Sequence, residues 1–545
     1  MRMAHWADAR LTSVVSSLPF AVCALVTVSS LVLGGGARSG YLSDAILQLL
    51  SIPPLLFSLW QLCRTQADAR RANPLFKWGL TLSAALVGVP LIQLVPLPPA
   101  IWTMLPNRQA VVEAFELVGG DLPWLPISVS PEATWLSALS LIPPVAVFLS
   151  TQLLSYAKRR VMSVLVLAIG LISVFLGLLQ VAQGPSSPLR FFALTSTSEA
   201  VGFFVNRNHF AALIYALIML AACWVTQAVF RARTSFNRKV HDTTAVAALV
   251  MTVAIIVVLL SAEAMARSRA GLALTILALI GAFALAWKEW RMVSRGTAGL
   301  VVGGIALICL FVAEFTLYRI MERFADDPLA DSRIQFARNT IIAAMEYMPL
   351  GSGIGSFVPV YGMYERPSEA LSNAFVNHAH NDILEICLEA GVFGIVLTAF
   401  FILWIGKRSV EVWRCSTLGS RNIDLWLARS ATIIIILLAI HSFVDYPLRT
   451  AAVMAVMAFA CGLLVAPPAD VDKATSLQHE ATAAHSVKRR RRRRPVRVGA
   501  APVVGRTWGR QIVTRLGHEA KTYMAQRLRQ RRQAQEHAAV GPFSV

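Results

Sequence analysis

Apolar runs of about 20 residues recur along this chain as far as about residue 466, and they constrain its fold more than any other feature. As a helix, a run of this length crosses the roughly 30 Å hydrocarbon core of a bilayer. The 545 residues are 56% hydrophobic and only 15% charged, so a water-soluble core could not bury their apolar surface. The sequence therefore predicts an all-α, polytopic integral membrane protein.

Hydropathy predicts about twelve transmembrane helices. The predicted spans are residues 13–33, 42–62, 75–95, 134–154, 161–182, 209–229, 243–262, 270–287, 297–317, 382–405, 425–444 and 448–466. The first span lacks a clear small-residue cleavage site, so we expect a retained helix rather than a signal peptide.

The segments between these spans alternate in charge, which predicts their sidedness. One set, near residues 64–77, 158–160, 231–239, 288–295 and 407–414, is rich in Lys and Arg and is expected in the cytoplasm with both termini. The other set is poorer in these residues and is expected to face outward. It consists of residues 34–41, 96–133, 183–208, 263–269, 318–381 and 445–447.

The longest outer segment, residues 318–381, separates the ninth and tenth spans and is large enough to have its own structure. Within it the sequence predicts a helix from about Ser332 to Met348, with Asp331 as its N-cap and Pro349 after its end. A flexible turn, Gly351 to Gly355, is expected to follow.

Two further segments differ from the apolar runs. Residues 96–133 contain prolines and tryptophans and are predicted to lie along the membrane interface. A transmembrane domain of residues 1–466 is followed by a basic tail, 467–545, with an unbroken basic run from Lys488 to Arg494. The tail is expected either on the anionic cytoplasmic leaflet or disordered in solution, and nucleic acid is not an expected partner because no folded basic domain is apparent.

The unusual polar residues fall in the outward segments, at one membrane face. They are in "NRNH" (206–209), "SRAG" (268–271), "DSR" (331–333), "HAHN" (378–381) and "HSFVDYPLR" (441–449). Arginines gathered at a bilayer surface suit an anionic, lipid-linked ligand, because guanidinium binds phosphate through a bidentate fork.

The segment before the tenth span suggests a base. His380 and Asn381 would lie at the N-terminus of this helix, where the helix dipole disfavours a protonated imidazole and a neutral histidine can accept a proton. Downstream, Gly391 and Gly394 are predicted to share a helix face and to permit close packing.

Several stretches resemble those of the O-antigen ligase family, which includes O-antigen polymerases. "HNDILEICLEAGVFG" resembles the signature of the family, and "GFFVNRNHFAA", "SRAG", "PLGSGIGSF", "HSFVDYPLR" and "QLVPLPPAIW" resemble other recurrent stretches, over roughly residues 90 to 460. The resemblance implies a GT-C-like glycosyltransferase of the bacterial inner membrane without metal or cofactor. It would transfer a glycan from undecaprenyl diphosphate, at the periplasmic face, to an acceptor hydroxyl.

The resemblance also implies roles for individual residues. His380 would be the general base, and Arg207, Arg269 and Arg333 would contact the diphosphate. Asn381 and His378 would belong to the substrate site. The acceptor would be lipid A core oligosaccharide in a ligase and another lipid-linked repeat unit in a polymerase, and the sequence does not separate the two.

Each of these residues also has a simpler, structural interpretation. The arginines could anchor helix ends at headgroups, Asn381 could be only an N-cap, and His441 is expected to have a buried polar partner. Asp445 and Arg449 could pair with each other. A metal site at Asp326, Asp327 and Asp331 is less favoured than a turn with a helix cap.

Two other functions remain open at this point. One is a membrane transporter for small anions, which the position of the polar residues at outer helix ends rather than at the membrane midplane disfavours. The other is a scaffold in an envelope polysaccharide complex, which would not explain the His-Asn helix start.

Overall fold

Nearly all regular structure is α-helical in the residues that the computed structural model describes, which are 17–37, 40–64, 74–192, 197–236, 243–290, 329–368, 370, 375–415 and 423–465. The helices are α1 (Leu18–Leu33), α2 (Leu42–Arg64), α3 (Pro74–Gln93), α4 (Pro99–Trp102), α5 (Gln109–Val118), α6 (Pro131–Ser140), α7 (Ile142–Leu153), α8 (Tyr156–Gln183), α9 (Arg207–Phe236), α10 (Thr243–Ala266), α11 (Arg269–Trp290), α12 (Leu329–Tyr347), α13 (Phe357–Tyr364), α14 (Asp382–Arg414), α15 (Ile423–His441) and α16 (Ala451–Val465). A 3₁₀ turn, Pro447–Arg449, precedes α16.

Seven of the described helical segments are long and apolar enough to cross a membrane. They are α2, the part of α3 from Phe76 to Gln93, α6 together with α7 (Pro131–Leu153), α8, the part of α9 from Arg207 to Ala228, α14 and α15. Four shorter apolar segments lie in α1, α10, α11 and α16. The chain is thus a helical, polytopic membrane protein, as predicted. The ninth predicted span, 297–317, and the basic tail, 467–545, lie outside the described residues, and the total of about twelve spans stays a prediction.

Helix α9 lies at the centre of the packed helices. Its side chains are buried on every face from Phe210 to Cys223, as expected for a helix that is apolar all round. It packs against α10, α11 and α15. Because α9 is enclosed by other helices, its first residues are held firmly at one end of the bundle.

Helix α14 is broken at Gly391, whose φ of 55° and ψ of −138° are not helical. A Cβ atom at this position would lie 2.2 Å from the carbonyl oxygen of Pro349, so only glycine fits. The N–H of Val392 donates to that same carbonyl at 2.9 Å. The prediction that Gly391 and Gly394 share a helix face is therefore wrong, because Gly391 itself is not helical. The close packing predicted for Gly391 is present, against the backbone of Pro349 and Gly351.

The turn from Gly351 to Gly355 fills the break in α14. The N–H groups of Ser352 and Gly353 donate to the carbonyls of Leu388 and Glu389, at 2.9 and 3.0 Å, which have lost their helical partners. Gly351, Ser352 and Gly353 are buried. The turn is thus a packed and hydrogen-bonded insert and not the flexible turn that its composition predicts.

The segments predicted to face outward contain short helices. Helix α12 includes Asp331 in its first turn, so Asp331 is not the predicted N-cap. Residues 96–133 contain α4 and α5, and an isolated antiparallel bridge joins Leu97 to Leu125. The guanidinium of Arg108 donates to the carbonyls of Pro126 and Ile127 and so closes this segment on itself.

Candidate functional site

The polar motifs of the segments predicted to face outward meet at one end of the bundle. Asn208, in the first turn of α9, donates from its amide to the carboxylate of Asp445 and accepts from the hydroxyl of Ser268 at 2.8 Å. The carbonyl of Ala37, which follows α1, accepts from His378 at 3.1 Å. Residues far apart in sequence are therefore joined in one network, in agreement with their predicted common sidedness.

His380 and Asp445 form the centre of this network. The Nδ1 atom of His380 lies 3.1 Å from Oδ1 of Asp445, and the carboxylate is fully buried. Burial alone would raise the pKa of Asp445, but the hydrogen bond with His380 lowers it well below its usual range, so it is a carboxylate. Among the described residues none hydrogen bonds to Nε2 of His380, whose side chain is 23% exposed.

Aromatic rings fix the orientation of the His380 imidazole. Phe336 of α12 stacks on it with a centroid distance of 5.9 Å, and Tyr446 contacts it edge-on at 5.0 Å. The hydroxyl of Tyr446 lies within hydrogen-bond distance of the amides of Asn206 and Asn377. His380 itself has φ of 52°, a conformation that is uncommon for residues other than glycine and that a surrounding structure must hold.

His378 is also paired with a carboxylate, but its surroundings differ. Its Nδ1 lies 2.8 Å from Glu385, and its Nε2 donates to the carbonyl of Ala37. Burial lowers the pKa of His378, but the Glu385 carboxylate outweighs this effect and raises the pKa above its ordinary value. Both ring nitrogens are thus engaged within the protein.

Arg449 is surrounded by three carboxylates of α14. Its guanidinium lies 2.8 Å from Glu389, 3.5 Å from Glu385 and 3.6 Å from Asp382. The possible pairing of Asp445 with Arg449 is therefore wrong, because Asp445 contacts His380 and Arg449 contacts α14. This buried cluster joins the part of α14 before the break at Gly391 to the 3₁₀ turn before α16.

Asn381 is the N-cap of α14, as the simpler interpretation predicted. Its side-chain oxygen accepts from the N–H groups of Ile383 and Leu384, both at 3.0 Å, and its amide donates to the carbonyl of Phe443 at 2.9 Å. The cap fixes the start of the helix immediately after His380.

Each of the three predicted diphosphate arginines is close in sequence to a residue that the preceding paragraphs describe. Arg207 begins α9, directly before Asn208, and pairs with the buried carboxylate of Glu199 at 3.0 Å. Arg269 begins α11, directly after Ser268. Arg333 is exposed on α12, one helical turn before Phe336.

Sequence reasoning missed the partners of the two histidines. Two of these partners, Asp445 and Tyr446, are in the "HSFVDYPLR" motif, and the third, Glu385, is in the first turn of the tenth predicted span. The spacing of these residues in the sequence does not show which histidine each one contacts. His441 does have the expected buried partner, since its Nδ1 lies 3.1 Å from the hydroxyl of Tyr215.

Asp326 and Asp327 lie outside the described residues, as does the side chain of Asp331. Within the described part of the chain, no group of three His, Cys, Asp or Glu side chains is placed to hold a metal ion.

Residues 254–399 match the family model described as O-Antigen ligase. The match includes Arg269, Arg333, His378, His380 and Asn381, whereas Arg207 and Asp445 lie outside it. No curated protein matches the chain. The predicted resemblance to the O-antigen ligase and polymerase family is confirmed.

Proposed function

We propose that this protein, whose residues 254–399 carry the O-antigen ligase domain, transfers a glycan from undecaprenyl diphosphate to a sugar hydroxyl of an acceptor at the periplasmic face of the inner membrane. The family match supports a role in lipid-linked glycan transfer. The observation that carries the finer proposal is the His380–Asp445 pair, with the second ring nitrogen of His380 unengaged by the described residues.

The proposed step is a displacement at the anomeric carbon of the donor. The acceptor hydroxyl gives its proton to Nε2 of His380 while its oxygen bonds to the anomeric carbon, and the bond from that carbon to the diphosphate oxygen breaks. Asp445 holds the Nδ1 proton and stabilises the imidazolium that forms, as the carboxylate does in a Ser-His-Asp triad. No metal or cofactor takes part in this proposal.

The leaving diphosphate carries the negative charge that develops in this step. Arg207, Arg269 and Arg333 are assigned to stabilise it, because guanidinium groups stay charged and bind phosphate oxygens in pairs. His378 and Asn381 take part in the site by holding the short segment that carries His380, since their polar atoms contact Glu385, Ala37, Phe443 and the start of α14.

The test is glycan profiling in cells that lack the protein and in cells complemented with wild type or His380→Ala. Full-length glycan that accumulates on undecaprenyl diphosphate, uncorrected by the variant, is the result expected for a ligase. Accumulation of single repeat units is the result expected for a polymerase, which would use the same pair of residues. A profile unchanged by deletion would contradict glycan transfer altogether.

A further inference from the structure

Helix α12 presents a row of large apolar side chains on the face that points away from the protein. The buried face of α12 includes Phe336, Ala343 and Tyr347, and the helix packs against α13 and α14. Four exposed residues form the opposite face, since residues about four and seven apart share one side of a helix. They are Ile334, Ile341, Ile342 and Met345, and we call them the α12 stripe.

The α12 stripe is too apolar to be ordinary exposed surface. Ile334 and Met345 are each 73% exposed, and Ile341 and Ile342, which lie between them, are 44% and 42% exposed. Single exposed apolar residues are common on proteins, but a contiguous row on one helix indicates contact with a partner or with lipid. The position of α12 relative to the membrane-spanning helices distinguishes these two.

The part of α14 before the break at Gly391 lies across one end of the bundle. Near its start, the N–H of Asp382 donates at 2.8 Å to the carbonyl of Ser442, which follows the end of α15. Near its other end, Glu389 lies 2.8 Å from Arg449, which precedes α16. Because α15 is long and apolar enough to span a membrane, its end marks the level of the bilayer surface. This part of α14 therefore runs near that surface.

Helix α12 lies beside this part of α14 and at the same level. Phe336 stacks on His380, which comes two residues before the start of α14, with a centroid distance of 5.9 Å. The carbonyl of Pro349, which follows α12, accepts from the N–H of Val392, directly after the break, at 2.9 Å. The two segments are thus in contact at both ends, so α12 also runs near the bilayer surface.

The α12 stripe continues onto the lipid-facing surface of α14. Val392 and Phe393 follow the break and are 46% and 54% exposed on a helix that is long and apolar enough to span a membrane, so their side chains face hydrocarbon. Met345 ends the stripe four residues before Pro349, whose carbonyl is bound to Val392. The exposed apolar side chains of the two helices therefore adjoin at the break, which favours lipid over a protein partner as the contact of the stripe.

Arg338 adds a cation to the same face of α12. It is exposed and lies four residues after Ile334 and three before Ile341. A guanidinium binds phosphate oxygens, and the methylene groups of an arginine can lie on apolar surface while its charge stays in the headgroup layer. Because a charge is costly at the centre of a bilayer, Arg338 indicates a helix that lies at the surface.

We propose that α12 is an interfacial helix. The α12 stripe lies among the acyl chains of phospholipids at the end of the bundle that carries His380, and Arg338 binds their phosphate groups. Phe336, on the other face of the same helix, stacks on His380. The helix that contacts the lipid is therefore also the one that supplies the ring stacked on the candidate base.

Photocrosslinking from single positions tests this contact. The photoreactive amino acid p-benzoylphenylalanine replaces one residue at a time in the full-length protein, which is reconstituted in nanodiscs of palmitoyl-oleoyl phosphatidylcholine. Mass spectrometry of the intact protein after illumination measures the fraction that carries one covalently attached phospholipid. We expect at least fivefold more attachment at Ile341 and Met345 than at Gln335 and Glu346, which are exposed on the polar side of the same helix. Phe393 gives the value for a lipid-facing position.

The same experiment identifies other occupants of the stripe. Phospholipid attachment at Phe393 without attachment at Ile341 and Met345 would overturn the proposal, because the stripe would then face water. Covalent dimers of the protein at Ile341 and Met345, in place of phospholipid adducts, would also overturn it and would identify a second copy of the chain as the partner. Equal attachment at Gln335 and Glu346 would contradict the proposed orientation of α12.

Charge variants test the contact in a second way. Ile341→Glu with Met345→Glu places two carboxylates in the stripe and should lower phospholipid attachment from p-benzoylphenylalanine at Ile334 at least fivefold. Ile341→Leu with Met345→Leu is the matched control and should leave this attachment unchanged. Arg338→Glu places a negative charge beside the lipid phosphates and should lower the attachment at least threefold, whereas Arg338→Lys should not.

Size-exclusion chromatography checks that each variant is folded, and Arg338→Glu alone supplies the comparison if the double glutamate variant does not fold. Attachment at Ile334 that the folded glutamate variants leave unchanged would contradict the proposal. None of these measurements involves glycan transfer, so they decide the lipid contact whether or not the proposed function holds.

Discussion

Two histidine–carboxylate pairs lie two residues apart and differ in what they can do. His378 with Glu385 and His380 with Asp445 have similar distances, 2.8 and 3.1 Å, and both carboxylates are buried. In the first pair the remaining ring nitrogen donates to a carbonyl, whereas in the second no described residue contacts it. A carboxylate partner is thus common to both histidines, and the availability of the second nitrogen is what separates a structural histidine from a candidate base.

Removal of the candidate base gives the largest expected effect. His380→Ala should lower the rate of glycan transfer in proteoliposomes by about 10³-fold, within the range for general bases, because nothing else described accepts the proton. It should also lower the thermal stability, since the buried carboxylate of Asp445 loses a hydrogen-bond partner. His378→Ala is the control within the same segment. Equal activity losses for the two variants would contradict the proposed difference between the pairs.

Asp445→Asn tests the orienting partner and should have the next largest effect. The change keeps the shape of the side chain but removes the charge that stabilises an imidazolium at His380, so we expect transfer to fall by about 10²-fold. The KM for the donor should change little, because Asp445 is buried and does not contact it in this scheme. A variant with wild-type transfer would show that the pair has no catalytic role.

His378→Gln should affect stability more than chemistry. In this variant the buried Glu385 has a neutral amide as its partner in place of a charged imidazole, which should lower the free energy of unfolding by about 2 kcal/mol. The rate of glycan transfer should fall by less than tenfold. The effect should depend on pH. Because the pKa of His378 is raised on folding, its stabilisation is fully present below the unfolded pKa of about 6.5 and is lost as the pH rises through the folded pKa.

Thermal unfolding of wild type and His378→Gln in detergent at several pH values measures this dependence. The difference between the two should be larger at pH 6 than at alkaline pH. Glu385→Gln is the matched partner variant and should remove the same pH dependence. A difference that grows with pH would show that His378 is bound as a neutral imidazole.

The sequence predicted the helices and the common location of the polar motifs more completely than the contacts among them. Hydropathy located the α14 span because burial in lipid requires a long apolar run. The break at Gly391 was missed, since the groups that satisfy its backbone come from Ser352 and Gly353, about 40 residues earlier. The partner of His380 was missed for the same reason, because Asp445 comes from a different loop.

The smallest expected effect comes from Asn381, which follows His380 and caps the helix that both pairs depend on. Asn381→Ala should lower the free energy of unfolding by about 1 kcal/mol and reduce transfer only a fewfold, because the cap positions the 378–380 segment without touching the reacting atoms. Asn381→Ser retains a side-chain oxygen that can cap and should behave nearly as wild type. If instead both variants lost as much activity as His380→Ala, with unfolding unchanged, the amide itself would have to contact substrate. Capping would then be the less important of the two functions of Asn381. His380 and Asn381 together, rather than His380 and Asp445, would form the catalytic unit.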